Sequence, residues 1–176
     1  MLALRRLAAY AIDHLLFSLW VTAAIAVVVS LQDGAPTWTD DPWRSQAFGA
    51  LFTTLPFWLY FTWCEASPRG RTLGKLARGL RVRDARRDTA PSLGSAALRS
   101  AVKLIPWELG HTAAHQLLAA GLGDREPPTW AMALSYASMG LAFVYVVMLF
   151  VGDGRAPHDR IARTRVVGPS RRGTKD

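Results

Sequence analysis

The sequence predicts an all-α integral membrane protein with four transmembrane segments and both termini in the cytoplasm. Three observations predict it. Apolar residues make up 51% of the 176-residue chain, and they fall in long blocks instead of mixing with polar ones. Charges gather in blocks of their own, with a net charge of +8 and a pI of about 10.5. Of the 21 Lys and Arg residues, two (Arg44 and Arg125) lie in the loops expected outside, the asymmetry that retention of basic loops in the cytoplasm produces. The mean hydropathy of +0.13 hides this pattern, because lipid-like blocks and very basic loops cancel.

The first block runs from Leu7 to Leu31 and exceeds the roughly 20 residues a spanning helix needs. Arg5 and Arg6 precede it, as in a twin-arginine signal. The block is longer than a signal core, carries Asp13 and is followed by no clear small-x-small cleavage site, so it reads as an uncleaved first transmembrane helix. "QDGAPTWTDDPWR" then makes an outer loop, with Asp33, Asp40 and Asp41 against Arg44. Ala47–Cys64 is the second block, with Pro56 inside it. Residues 69–87 form a strongly basic inner loop suited to anionic phospholipid headgroups.

Leu93–Ile105 carries Leu98, Val102 and Ile105 on one side and Arg99 and Lys103 on another. That pattern predicts an amphipathic helix lying in the membrane interface. Pro106 removes a backbone donor and kinks or restarts the helix, and Trp107–Gly121 completes a third, kinked segment. Residues 122–128 form the second outer loop, with Asp124 and Glu126 against Arg125. Thr129–Val151 is the fourth block. Trp38, Trp43 and Trp130 stand near block ends, where indoles favour the membrane interface. Three crossings would put the basic middle or the basic tail outside, and four do not. Residues 1–168 form one domain, and 169–176 read as a disordered basic tail.

The candidate functional residues are the polar ones that these blocks carry into the membrane. Arg6 and Asp13 share a helix face but lie about 10 Å apart along the axis, too far for a good ion pair. Each needs a partner on another segment. Asp13 either locks the bundle through an Arg or His, or titrates and binds a cation along a pathway. Glu108, His111 and His115 sit at i, i+3 and i+7, within a narrow arc of one helix face. That spacing suits interhelical hydrogen bonds or a proton relay with Asp13. It lacks HExxH and a second ExxH copy, so no metal is expected.

Gly70, Gly74 and Lys75 resemble a phosphate loop only loosely. The spacing is short, and Leu76 stands where Ser or Thr is required. No Ser–His–Asp or Cys–His arrangement is readable, so neither enzymatic activity nor a cofactor is expected. Cys64 is the single cysteine; it reads as a packed or lipid-facing thiol, with no intrachain disulfide. The basic charge has no aromatic interleaving, so no nucleic acid is expected as a partner.

Three ordered motifs resemble the RDD family of bacterial membrane proteins. "RRLAAYAID" is similar to its opening motif, with Arg6 as the arginine and Asp13 as the first aspartate. "GRTLGKLARGLRV" is similar to its G-x-T-x-G-K-x-x-x-G-L-R-V stretch, at Gly70, Thr72, Gly74, Lys75, Gly79, Leu80, Arg81 and Val82. "HDRIARTRVV" is similar to its closing motif and includes His158; Asp159 is the second aspartate, with Asp84 the other candidate. Arg163 stands where the family often has Gly, and "PWELGHTAAH" lies outside the general pattern.

The resemblance implies a bacterial inner-membrane protein with a transport-related role, cation/proton exchange having been proposed for some members. The expected function is transport of a small solute, or cation/proton exchange, by a homo-oligomer with Asp13 as the ion or proton site. The alternative is a non-transporting adaptor that binds a membrane protein partner. Asp159 is expected to pair with Arg6 or Arg81.

Overall fold

The computed structural model describes residues 2–31 and 41–168. Of the predicted outer loop, residues 32–40 lie outside the described residues, as does the basic tail 169–176; its end is helical instead of loop, because Asp41 caps a helix that starts at Pro42. Four long helical rods dominate. Helix α1 spans Leu2–Leu31. The second rod joins α2 (Pro42–Gly49), a π-helical turn (Ala50–Thr54) and α3 (Leu55–Ala66). A short helix α4 (Leu73–Ala77) leads to strand β1 (Arg81–Asp84). Helices α5 (Leu93–Leu122) and α6 (Thr129–Val147) make the other two rods. Helix α7 (Pro157–Ile161) and strand β2 (Thr164–Val167) close the chain.

Two of these helices are long and apolar enough to cross a membrane, through Leu2–Val27 and Thr129–Val147. At 1.5 Å per residue, α6 is about 28 Å long, close to a hydrocarbon core of about 30 Å. The distribution of side chains is inside-out relative to a water-soluble bundle. Tyr136 and Phe143 on α6 are 73% and 69% exposed, whereas Glu65 and Asp159 are fully buried and Arg99 is 2% exposed. Lipid rewards that arrangement and water penalises it.

Both prolines interrupt backbone bonding, and a neighbouring helix repairs each interruption. Pro106 cannot donate to the carbonyl of Val102 four residues earlier. The Tyr145 hydroxyl on α6 donates to that carbonyl at 2.9 Å, and Ser138 donates to the Pro106 carbonyl at 2.7 Å. Pro56 likewise frees the carbonyl of Phe52, and the Trp20 indole N–H on α1 reaches it at 3.4 Å. The π-helical turn just before Pro56 widens the ladder at the same place.

Two expectations are corrected here. The protein is not purely α-helical: β1 and β2 pair antiparallel, with Val82 opposite Val166 and Asp84 opposite Thr164. The strands are short and carry arginines, but their alternation puts Val82 and Val166 inward. With Leu80 they pack against Ala9 of α1. Nor is residues 93–105 a separate interfacial helix. It is continuous with the segment after Pro106, and its two sides do not sort as predicted: Leu98 and Ile105 are exposed, while Val102 and Arg99 are both buried.

The rods group the loops at two ends. At one end Trp43 stacks near Trp130, ring centroids 6.2 Å apart. At the other lie the start of α1, α4, the two strands and α7.

Candidate functional site

The first half of the site is a docking of the glycine-rich loop onto α1. Asp13 is almost completely buried. Its Oδ1 accepts from the Tyr60 hydroxyl at 2.8 Å and the Gly74 N–H at 2.8 Å, and its Oδ2 accepts from the Thr72 hydroxyl at 2.6 Å. Thr72 caps α4, its hydroxyl accepting from the Lys75 N–H at 3.3 Å. Gly74 is required by closeness: a Cβ there would lie 2.0 Å from the carbonyl oxygen of Ala9. Gly79 is required by conformation, at φ +67°. It ends α4 in a Schellman turn, with Leu80 N–H bonded to Lys75 O and Gly79 N–H to Leu76 O. Gly70 ties the loop to β1 through its carbonyl, which accepts from Val82 N–H at 2.7 Å.

The second half is a buried chain of charges across five elements. Asp159, on α7, accepts from Arg6 at 2.5 Å and from Arg99 at 2.9 and 3.2 Å. It also accepts the Ala156 N–H at 3.2 Å, which fixes the start of α7. Arg99, on α5, bonds Glu65 on its other side at 2.6 Å. Glu65, at the end of α3, is also held by Lys75 at 2.8 Å and Lys103 at 3.4 Å. Arg6 further donates to the Gly154 carbonyl at 2.5 Å. The three charged family residues therefore divide: Arg6 and Asp159 are direct partners, and Asp13 is held by neutral donors. Arg81 is not a partner of Asp159; it sits in the ladder opposite Val167.

Burial alone would raise the Asp159 pKa, but the positive charges of Arg99 and Arg6 prevail and hold the carboxyl far below the usual carboxylate range. Asp159 is ionised at neutral pH. His158 is buried beside it, Nε2 3.7 Å from Asp159. Burial and then the Arg99 charge push its pKa well down, so the imidazole is neutral. Asp84, the other candidate aspartate, ends β1 and is half-buried just before a turn. Its carboxyl is lowered by accepting the N–H groups of Arg87 and Arg86.

The histidine-bearing arc does not join this network. Glu108 faces the second rod, where Gln46 donates to it at 2.8 Å and the Thr54 hydroxyl bonds its other oxygen. The His115 ring lies near Gly49. His111 lines the same cavity as Asp13, and its ring packs on Trp107, which packs on His14, with His14–Trp107 centroids 5.1 Å apart and Trp107–His111 4.1 Å apart. Among the described residues no three His, Cys, Asp or Glu gather as a metal site.

A cavity of about 460 Å³ lies between α1, α5 and α6. Arg6, Asp13, Lys75, Arg99 and Lys103 line it, together with Tyr10, Trp107, Ala142 and Val146. Sequence reasoning missed Glu65 altogether and put Arg99 and Lys103 on a membrane surface. The available signals were a carboxylate directly after an apolar block and two cations four residues apart before a proline.

The RDD family matches residues 2–163 of this chain. No curated protein and no solved structure matches it.

Proposed function

The chain belongs to the RDD family, a family of membrane proteins, and from that premise we propose that it moves a small solute across the bacterial inner membrane. In this reading the four rods are four crossings, both termini are cytoplasmic, and the working unit is an oligomer. The observation that carries it is the cavity of about 460 Å³ lined by both charged and apolar side chains. A single cavity of this size suits a small ligand.

The charges around it favour one sign of solute. Arg6, Lys75, Arg99 and Lys103 stand against Asp13, Glu65 and Asp159. That is four basic groups against three carboxylates, so one basic group has no carboxylate of its own. A cation is repelled there, and an anion is attracted. Cation/proton exchange through Asp13 would require that carboxylate to release the Tyr60, Thr72 and Gly74 donors first.

The second reading is a non-transporting adaptor. The exposed stripe of Tyr136, Met139 and Phe143 on α6 favours it, because a flat apolar face accepts a partner helix as readily as lipid. Flux in proteoliposomes discriminates. Dissipation of a pH gradient is followed with Na⁺, K⁺ or Li⁺ in one arm and small organic carboxylates in the other. Carboxylate-dependent flux is expected. Cation-dependent flux lost in Asp13→Asn would instead make Asp13 the centre of an exchanger. No flux in either arm from folded, inserted protein would leave the adaptor.

A further inference from the structure

We infer that the cavity between α1, α5 and α6 binds a single-chain amphiphile with one acidic head, which enters sideways from the bilayer. The inference rests on the reading of this cavity as the functional one and names its ligand class.

The two parts of the cavity wall differ in chemistry. The inner part presents Arg6, Lys75, Arg99 and Lys103. The outer part presents Ala114, Ala142 and Val146, which are exposed. A ligand that satisfies both has a charged end and an apolar end.

The basic group without a full partner can be identified. Arg99 is committed on both sides, to Glu65 and to Asp159. Arg6 is committed to Asp159 and to the Gly154 carbonyl. Lys75 holds Glu65 Oε1 at 2.8 Å. Lys103 shares that same oxygen at the longer distance of 3.4 Å and otherwise lies over the Phe61 ring, 2.9 Å from its centroid. An ammonium has three donors, so Lys103 is the least satisfied cation of the group. A buried charge without a full partner is costly, and an incoming acid removes that cost.

The mouth fixes the route. Tyr10, Ala142 and Val146 line the cavity and are exposed. They belong to α1 and α6, the two helices that pass the test for crossing a membrane. The opening between them therefore faces lipid. A volume of about 460 Å³ lies within the ordinary range for one small-molecule ligand, roughly 300–1,000 Å³, and favours one acyl chain over the two of a phospholipid.

The test is electron spin resonance of doxyl-labelled stearic acid with the full chain in phosphatidylcholine nanodiscs. The labelled acid should show a motionally restricted population, and the labelled methyl ester should bind at least about tenfold more weakly, the neutral head forfeiting the charge-assisted bond. Unlabelled oleate should displace the label, and oleyl alcohol should not. Lys103→Gln should abolish the preference for acid over ester. Ala142→Trp, which fills the mouth and leaves every charge in place, should remove the restricted population from protein of unchanged thermal stability.

Equal binding of acid and ester, or no effect of Ala142→Trp, overturns the inference, because the signal then comes from lipid around the whole bundle. Displacement by dioleoylphosphatidylglycerol as effective as by oleate overturns the single-chain assignment. Acid-selective binding without flux upholds the site and removes the transport reading. Flux without acid-selective binding does the reverse.

Discussion

Arg99 is the residue on which the interior turns. It bonds Glu65 with one edge of its guanidinium and Asp159 with the other, a two-sided geometry that lysine cannot supply. Arg99→Ala is expected to cost about 3–5 kcal/mol, since two buried carboxylates lose a shared partner; unfolding free energy in detergent measures it. The same geometry decides a charge-swap experiment. Arg6→Asp combined with Asp159→Arg should not restore the stability of either single variant, because an arginine at position 159 would face Arg99. Full recovery would show that Arg6 and Asp159 form an isolated pair. At this scale the sequence pointed to Arg6, Asp13 and Asp159 through motif resemblance, and to the need for distant partners through helical spacing. It could not say which partners. That choice depends on which faces of α3 and α5 turn inward, and a helix carrying charge on one side and leucine on the other fits an interface or a bilayer interior equally well.

The elements show a repeated device, a proline in a rod with its freed carbonyl capped from the next rod. For α5 the cap is the Tyr145 hydroxyl on Val102. Tyr145→Phe should destabilise by about 1–2 kcal/mol, the cost of leaving a buried carbonyl unpaired. Pro106→Ala restores a backbone donor to Val102. The double variant should therefore lose less than Tyr145→Phe alone, and thermal unfolding of the four proteins closes the cycle. Additive losses would mean that the hydroxyl is not the substitute donor. The long apolar rods were legible from block length, and α6 most clearly. The strands were not, because "RVRD" and "TRVV" are each four residues long and half of their side chains face outward. Arg163 has a φ of 52°, in the left-handed region that favours glycine.

For the whole molecule, the two ends of the bundle are chemically distinct, and the four-crossing reading makes a simple topological statement. With Cys64 replaced by serine, Arg87→Cys and Asp124→Cys should react with a membrane-impermeant thiol reagent from opposite sides, the first in inside-out vesicles and the second in intact cells. Labelling of both from one side would remove that reading. The contact between Arg6 and Asp159 also has a consequence for biosynthesis. Its partners are 153 residues apart. At roughly 5–20 residues per second of synthesis, the arginine waits on the order of 10–30 s after it emerges before its aspartate exists. Tyr60, Thr72 and Gly74 reach Asp13 much sooner. The nascent chain thus settles Asp13 once Gly74 has emerged and keeps Arg6 open as a latch, which shuts only when α7 leaves the ribosome.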